Sequence, residues 1–84
     1  MTYTYKTRGT GSSQINIEIN DDKTIESVKF LGGCNGNLKG IGELVKGMTI
    51  DEVIDRLDGI KCGFKQTSCP DQLAKALKEI EEEF

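Results

Sequence analysis

Polar and apolar residues alternate along Gln14-Ile15-Asn16-Ile17-Glu18-Ile19, and this period of two places the isoleucines on one face of a half-buried strand. Asn20, Asp21 and Asp22 follow as a turn. Thr24 to Phe30, rich in β-branched and aromatic residues, then predicts a second strand that returns antiparallel to the first. Thr2 to Thr7 supplies a candidate third strand at the edge. Beyond Phe30 the period changes. Leu38, Ile41, Leu44, Val45 and Met48 recur every three or four residues, which predicts a helix from about Leu38 to Lys46 with Gly47 as its C-cap. Gly40 and Gly42 weaken that helix, and their presence points to close packing against a neighbouring element.

Thr49-Ile50-Asp51-Glu52 has the form of a capping box and opens a helix that buries Ile50, Val53, Ile54 and Leu57 before Asp58-Gly59 stops it. A second loop, Gly59 to Phe64, leads to Thr67-Ser68-Cys69-Pro70-Asp71. There Ser68 or Cys69 is the expected cap, and Pro70 suits the first helical turn. The final helix is expected over about Pro70 to Glu82, with Leu73, Leu77, Ile80 and Phe84 as its core stripe and Ala74 and Ala76 behind it. Its acidic end opposes the helix dipole and should fray. The expectation is one α+β domain over residues 1–84, an antiparallel sheet of two to three strands followed by three helices.

A chain of 84 residues builds only a thin core. It has no apolar run long enough for a membrane span and no pattern of a secretory leader near Met1, so a cytoplasmic location is expected. The net charge of −3 and the acid-rich stretch Glu79 to Glu83 argue against nucleic acid or anionic lipid as partners. Histidine is absent, which removes His-dependent zinc sites, catalytic triads and histidine proton shuttles. Three cysteines cannot all be paired within the chain.

Cys34, Cys62 and Cys69 all fall in loops or at an element boundary beside glycine, serine or proline, where turns let side chains converge as ligands do. No Cys-x-x-Cys knuckle is present, so the pattern is not that of a zinc finger. Cys69, in the first turn of a helix, is expected to be the most acidic of the three, a property that serves a metal ligand and a nucleophile alike. Lys61 and Lys65 are placed to add to thiolate stabilisation. Sulfur donors suit zinc or an iron–sulfur cluster better than magnesium or calcium. A fourth position would fall to water, Asp71, Ser13, or a thiolate from a partner or from the second protomer of a homodimer.

The string Thr67-Ser68-Cys69-Pro70-Asp71, together with Gly32-Gly33-Cys34-Asn35-Gly36-Asn37-Leu38, Gly59-Ile60-Lys61-Cys62-Gly63 and Asp71-Gln72-Leu73-Ala74, resembles the TSCPD family across essentially the whole chain. That family comprises free-standing small proteins and a C-terminal domain of adenosylcobalamin-dependent ribonucleotide reductases. The free-standing branch has four cysteines, and Gly11 stands where the fourth is expected. More distantly, Phe30 to Cys34, Val45-Lys46-Gly47 and Thr49 to Val53 are similar to segments of the IscU and NifU iron–sulfur scaffolds, which implies an IscU/NifU-like fold. In that comparison Cys34 and Cys69 match cluster ligands, Gly11 falls at a third cysteine, and Cys62 has no counterpart.

The reading that follows is a non-enzymatic module holding zinc or an iron–sulfur cluster through Cys34, Cys62 and Cys69, with Asp71 as a further candidate ligand. The resemblance also implies a second reading, a thiol-redox or docking accessory of ribonucleotide reduction, with a ribonucleotide reductase or an iron–sulfur or redox protein as partner. A third is an interaction domain whose cysteines are inert.

Overall fold

The computed structural model describes residues 1–84. Three strands, β1 (Thr2–Lys6), β2 (Ser12–Ile19) and β3 (Ile25–Gly32), form an antiparallel sheet in the order β1-β2-β3. Three helices follow, α1 (Asn35–Val45), α2 (Ile50–Leu57) and α3 (Cys69–Glu82). The fold is α+β, and the edge strand expected near the N-terminus is present as β1.

Alternation in β2 works as its pattern requires. Ile15, Ile17 and Ile19 are at most 3% exposed and face the helices, with Tyr5 and Phe30 beside Ile15 and Tyr3 and Val28 beside Ile17. Leu73, Leu77 and Ile80 of α3 and Ile50 and Val53 of α2 close the core from the other side. The polar face of the sheet is left to solvent, as antiparallel sheets permit. With 19 of 84 residues buried, the core is thin, so single buried polar contacts carry weight.

The turn between β2 and β3 is fixed by Asp22, whose Oδ1 accepts from Thr24 N at 3.1 Å and Thr24 Oγ1 at 2.6 Å. Met48 O accepts from Ile25 N and Ile25 O from Gly47 N, so the chain after α1 runs beside the start of β3. The capping box of α2 is complete: Thr49 Oγ1 accepts from Glu52 N at 3.1 Å and Glu52 Oε1 from Thr49 N at 3.0 Å.

Four expectations need correction. The first helix starts at Asn35, about one turn earlier than the apolar stripe suggests, because Cys34 serves as N-cap and its carbonyl accepts from Leu38 N at 2.9 Å. Lys46 is the C-cap and Gly47, at φ 81°, follows it; Leu44, on the far side of α1 from Leu38 and Val45, is 78% exposed. Phe84 lies past the end of α3 and is 47% exposed, with the Lys23 ammonium 5.4 Å from its ring centre.

Close packing explains one of the two α1 glycines. A Cβ on Gly42 would sit 2.7 Å from the Val28 carbonyl oxygen, so only glycine lets the helix lie this near β3. A Cβ on Gly40 would meet nothing within 4 Å.

Candidate functional site

The three cysteines sit on three different segments, and a single residue of β2 touches one of them and the turn that leads to another. Gly32 and Gly33, at φ 79° and 78°, turn the chain out of β3 toward Cys34 and press it against the loop before β2. A Cβ on Gly33 would come within 3.3 Å of Ser12 N, and one on Gly32 within 3.3 Å of Gly11 O. On its other side, Ser12 Oγ is 3.0 Å from Cys69 Sγ. Gly11 and Ser12 therefore touch the turn that leads to Cys34, and Ser12 touches Cys69 as well. Gly11 itself is not in the left-handed region, and a Cβ there would make ordinary contact with Gly33 Cα at 3.5 Å.

Ser12 escaped the sequence reading for a definite reason. Strict alternation backwards from Ile15 assigns the inward position to Ser13. A register shift between Ser12 and Gln14 reverses the parity. Ser12 is thus 4% exposed and faces Cys69, while Ser13 turns away and donates to Leu31 O at 3.2 Å.

Around Cys69 two opposing effects meet. Burial pushes its thiol pKa up; hydrogen bonds from the Ser12 side chain and backbone and from Thr10, with the nearby Lys65 charge, outweigh this and hold it below the ordinary thiol range. The thiolate is thus favoured by side-chain and backbone donors from the loop before β2, a different source from the helix N-terminus that the sequence suggested. Cys34 and Cys62 are exposed, and all three thiols are free.

Cys62 lies in a tight turn in which its N–H donates to Thr67 O at 3.1 Å and its carbonyl accepts from Lys65 N at 3.0 Å, with Gly63 at φ 56°. Phe64 at the tip is fully exposed. This turn is joined by backbone to the residue two before Cys69.

The remaining residues of the Thr67-Ser68-Cys69-Pro70-Asp71 string are engaged in holding that loop. Ser68 caps α3 by accepting from Asp71 N at 3.1 Å and donates to Ile60 O at 2.6 Å. Asp71 is 2% exposed. Its Oδ1 accepts from Gly59 N at 2.7 Å, its Oδ2 from the Thr67 hydroxyl, and both oxygens lie within 3.0 Å of Lys75 Nζ. Burial pushes the Asp71 carboxyl up, but these donors prevail and its pKa lies below the usual value. Gln72 extends the network, accepting from Arg8 N at 3.0 Å and donating to Thr67 Oγ1 at 3.0 Å. The lone pairs of Asp71 are thus committed to the loop that carries Cys62, which is a structural employment for a residue that sequence alone offered as a ligand.

No group of three or more cysteine, aspartate and glutamate side chains converges as a metal site in this arrangement. No helix is long and apolar enough to cross a membrane. No curated protein and no solved structure matches the chain. The family model of the TSCPD domain matches residues 1–81, which takes in all three cysteines and the whole network around Asp71. The chain therefore belongs to the TSCPD domain family and is a small domain of the ribonucleotide-reductase-related type.

Proposed function

We propose that this TSCPD domain binds a soft metal ion, zinc, or an iron–sulfur cluster through Cys34, Cys62 and Cys69. The observation that carries the reading is the environment of Cys69, a partly buried thiol stabilised as thiolate beside the loop that abuts the Cys34 turn. Thiolate is the form that ligates metals. The donor chemistry fits such a group; the present spacing of the donors does not, since no three of them converge. Binding would have to draw in the two exposed cysteines, each beside a glycine of positive φ, Gly33 and Gly63. When bound, the group would supply soft Lewis-acid or cluster chemistry. Asp71 has little to offer as fourth ligand while it holds Gly59, Thr67 and Lys75, which favours water or a thiolate from a partner or second copy.

Elemental analysis and an absorption spectrum of anaerobically purified protein test this, followed by zinc titration against a chromophoric chelator for the Cys34→Ser, Cys62→Ser and Cys69→Ser variants. Stoichiometric metal lost in each variant supports a shared site. Metal-free protein with no measurable zinc affinity rejects it.

A second reading is a thiol-redox accessory of ribonucleotide reduction, favoured by the backbone bond that holds the Cys62 turn to Thr67. The Cys69 thiolate would attack a disulfide of a partner, releasing one partner thiolate, and Cys62 would resolve the mixed disulfide. Two electrons and the Cys62 proton pass to the partner, which leaves as one thiol and one thiolate, as a Cys62–Cys69 disulfide forms. Mass spectrometry across a glutathione redox series tests it: a reversible Cys62–Cys69 bond supports it, and its absence at every potential rejects it.

A further inference from the structure

A groove of about 580 Å³ runs between β3 from Ser27 to Gly32 and the face of α1 that carries Asn35, Lys39, Gly42 and Lys46. It is elongated, since five residue steps of strand measure about 16 Å. Gly42 shapes it. Because no side chain stands between Gly42 and the Val28 carbonyl, helix and strand meet there, and the backbone at Val28 and Gly42 forms the floor. Leu31, 46% exposed, adds apolar surface, while Leu38, 7% exposed, contributes only an edge.

The charge of this groove runs against that of the chain. The protein carries −3 overall, whereas the groove is lined by Lys29, Lys39 and Lys46 against the single acid Glu43. Glu43 pairs with Lys46 at 3.1 Å, while Lys29 and Lys39 have no ion-pair partner. An open channel with two unpaired cations and an exposed leucine selects an occupant with acidic side chains and an apolar one near them. The acid-rich end of this chain's own α3 is committed elsewhere: Glu79 accepts from Tyr3 OH at 2.7 Å, and the segment is helical through Glu82. A second copy is thus poorly placed to fill the groove.

We propose that the β3–α1 groove docks a short acidic, partly apolar segment of a partner protein, its carboxylates on Lys29 and Lys39 and an apolar side chain on Leu31. Cys34 lies between the lining residues Gly32 and Asn35, so the docked segment ends beside an exposed thiol. The proposal does not depend on whether that thiol binds metal.

The test is a chemical-shift titration of the ¹⁵N-labelled protein with an acetylated, amidated hexapeptide of alternating Glu and Leu, and with its Lys–Leu counterpart. The acidic peptide is expected to shift the amides of Lys29, Leu31, Leu38, Lys39 and Gly42 with a Kd on the order of 0.1–1 mM, as befits a short flexible ligand. Binding should weaken at least about tenfold in Lys29→Glu/Lys39→Glu and on raising salt from about 0.05 to 0.5 M. Circular dichroism and thermal melting of that variant establish that it is folded. Equal response to the basic peptide, shifts that map elsewhere, or no response at millimolar peptide overturns the proposal. So does a concentration-dependent shift of the same amides in the free protein, which would make a second copy the occupant.

Discussion

Replacing Asp71 by asparagine removes one acceptor oxygen from a buried site whose three neighbouring donor groups were arranged for a carboxylate. Gly59 N–H and the Thr67 hydroxyl donate to separate oxygens and Lys75 bridges both. The least costly orientation of the amide keeps its oxygen on Gly59 and turns its NH2 toward Thr67 Oγ1, which already accepts from Gln72 Nε2. Lys75 then keeps one contact of two, and the Thr67 hydroxyl must find another acceptor. A charged hydrogen-bonded group lost in a site 2% exposed costs about 2–3 kcal/mol. For a domain of this size that corresponds to a fall in Tm of roughly 8–24 °C. Lys75→Met, which removes only the half-exposed partner, should cost about 1 kcal/mol, and the double variant less than the sum of the two.

The pH dependence gives an independent check. Because the folded Asp71 pKa is depressed, its contribution is fully present above the unfolded value of about 3.9 and is lost as pH falls through the folded value. The gap between parent and Asp71→Asn should therefore be widest near neutrality and close in acid. Urea unfolding at pH 7 and pH 3, with a chelator present, measures both quantities on metal-free protein. Stability within about 0.5 kcal/mol of the parent at pH 7 would refute the network as an anchor. An effect seen only with metal loaded would instead make Asp71 a ligand.

Four further outcomes are expected. Ser12→Ala, in a chain with Cys34 and Cys62 replaced by serine, should slow iodoacetamide alkylation of Cys69 severalfold near neutral pH and move its pH profile upward; an unchanged profile would show that Ser12 does not stabilise the thiolate. Gly42→Ala should destabilise by about 1–3 kcal/mol through the 2.7 Å approach to Val28 O, whereas Gly40→Ala, meeting nothing, should stabilise by up to about 1 kcal/mol, both read from urea unfolding. Glu81 has its pKa raised by the hydrogen bond it shares with Asp51, then by burial; Glu81→Gln should thus add about 0.5 kcal/mol or less at neutral pH in thermal melts, a gain that disappears in acid where the parent binds that proton. Gly11→Cys should tighten zinc at least about tenfold, or 1.4 kcal/mol, over Gly11→Ala in a chelator competition, and equal affinities would place position 11 outside the site.

The sheet and the last two helices were legible because each is announced by a local rule. A period of two marks β2, a reciprocal cap marks α2, and Ser68 with Pro70 marks the start of α3. The start of α1 was not, since Cys34 caps through its carbonyl alone and leaves no side-chain signature. The site was harder to read for a related reason. Residue types and spacing assign the cysteines to turns, but which turns meet is decided by contacts far apart in sequence, such as Ser12 with Cys69.

Asp71 shows the limit most clearly. Beside three cysteines a carboxylate reads as a ligand, yet Lys75 stands one helical turn beyond it and could have been weighed as its partner. Thr67 and Gly59 could not, because nothing local indicates that the loop folds back on α3. Within the five-residue string, Thr67, Ser68 and Asp71 spend their polar groups on fixing the loop of Cys62, and Pro70 starts the helix. That leaves Cys69, whose Sγ lies 3.0 Å from Ser12 Oγ, as the one side chain of the string spent neither on the loop nor on starting the helix.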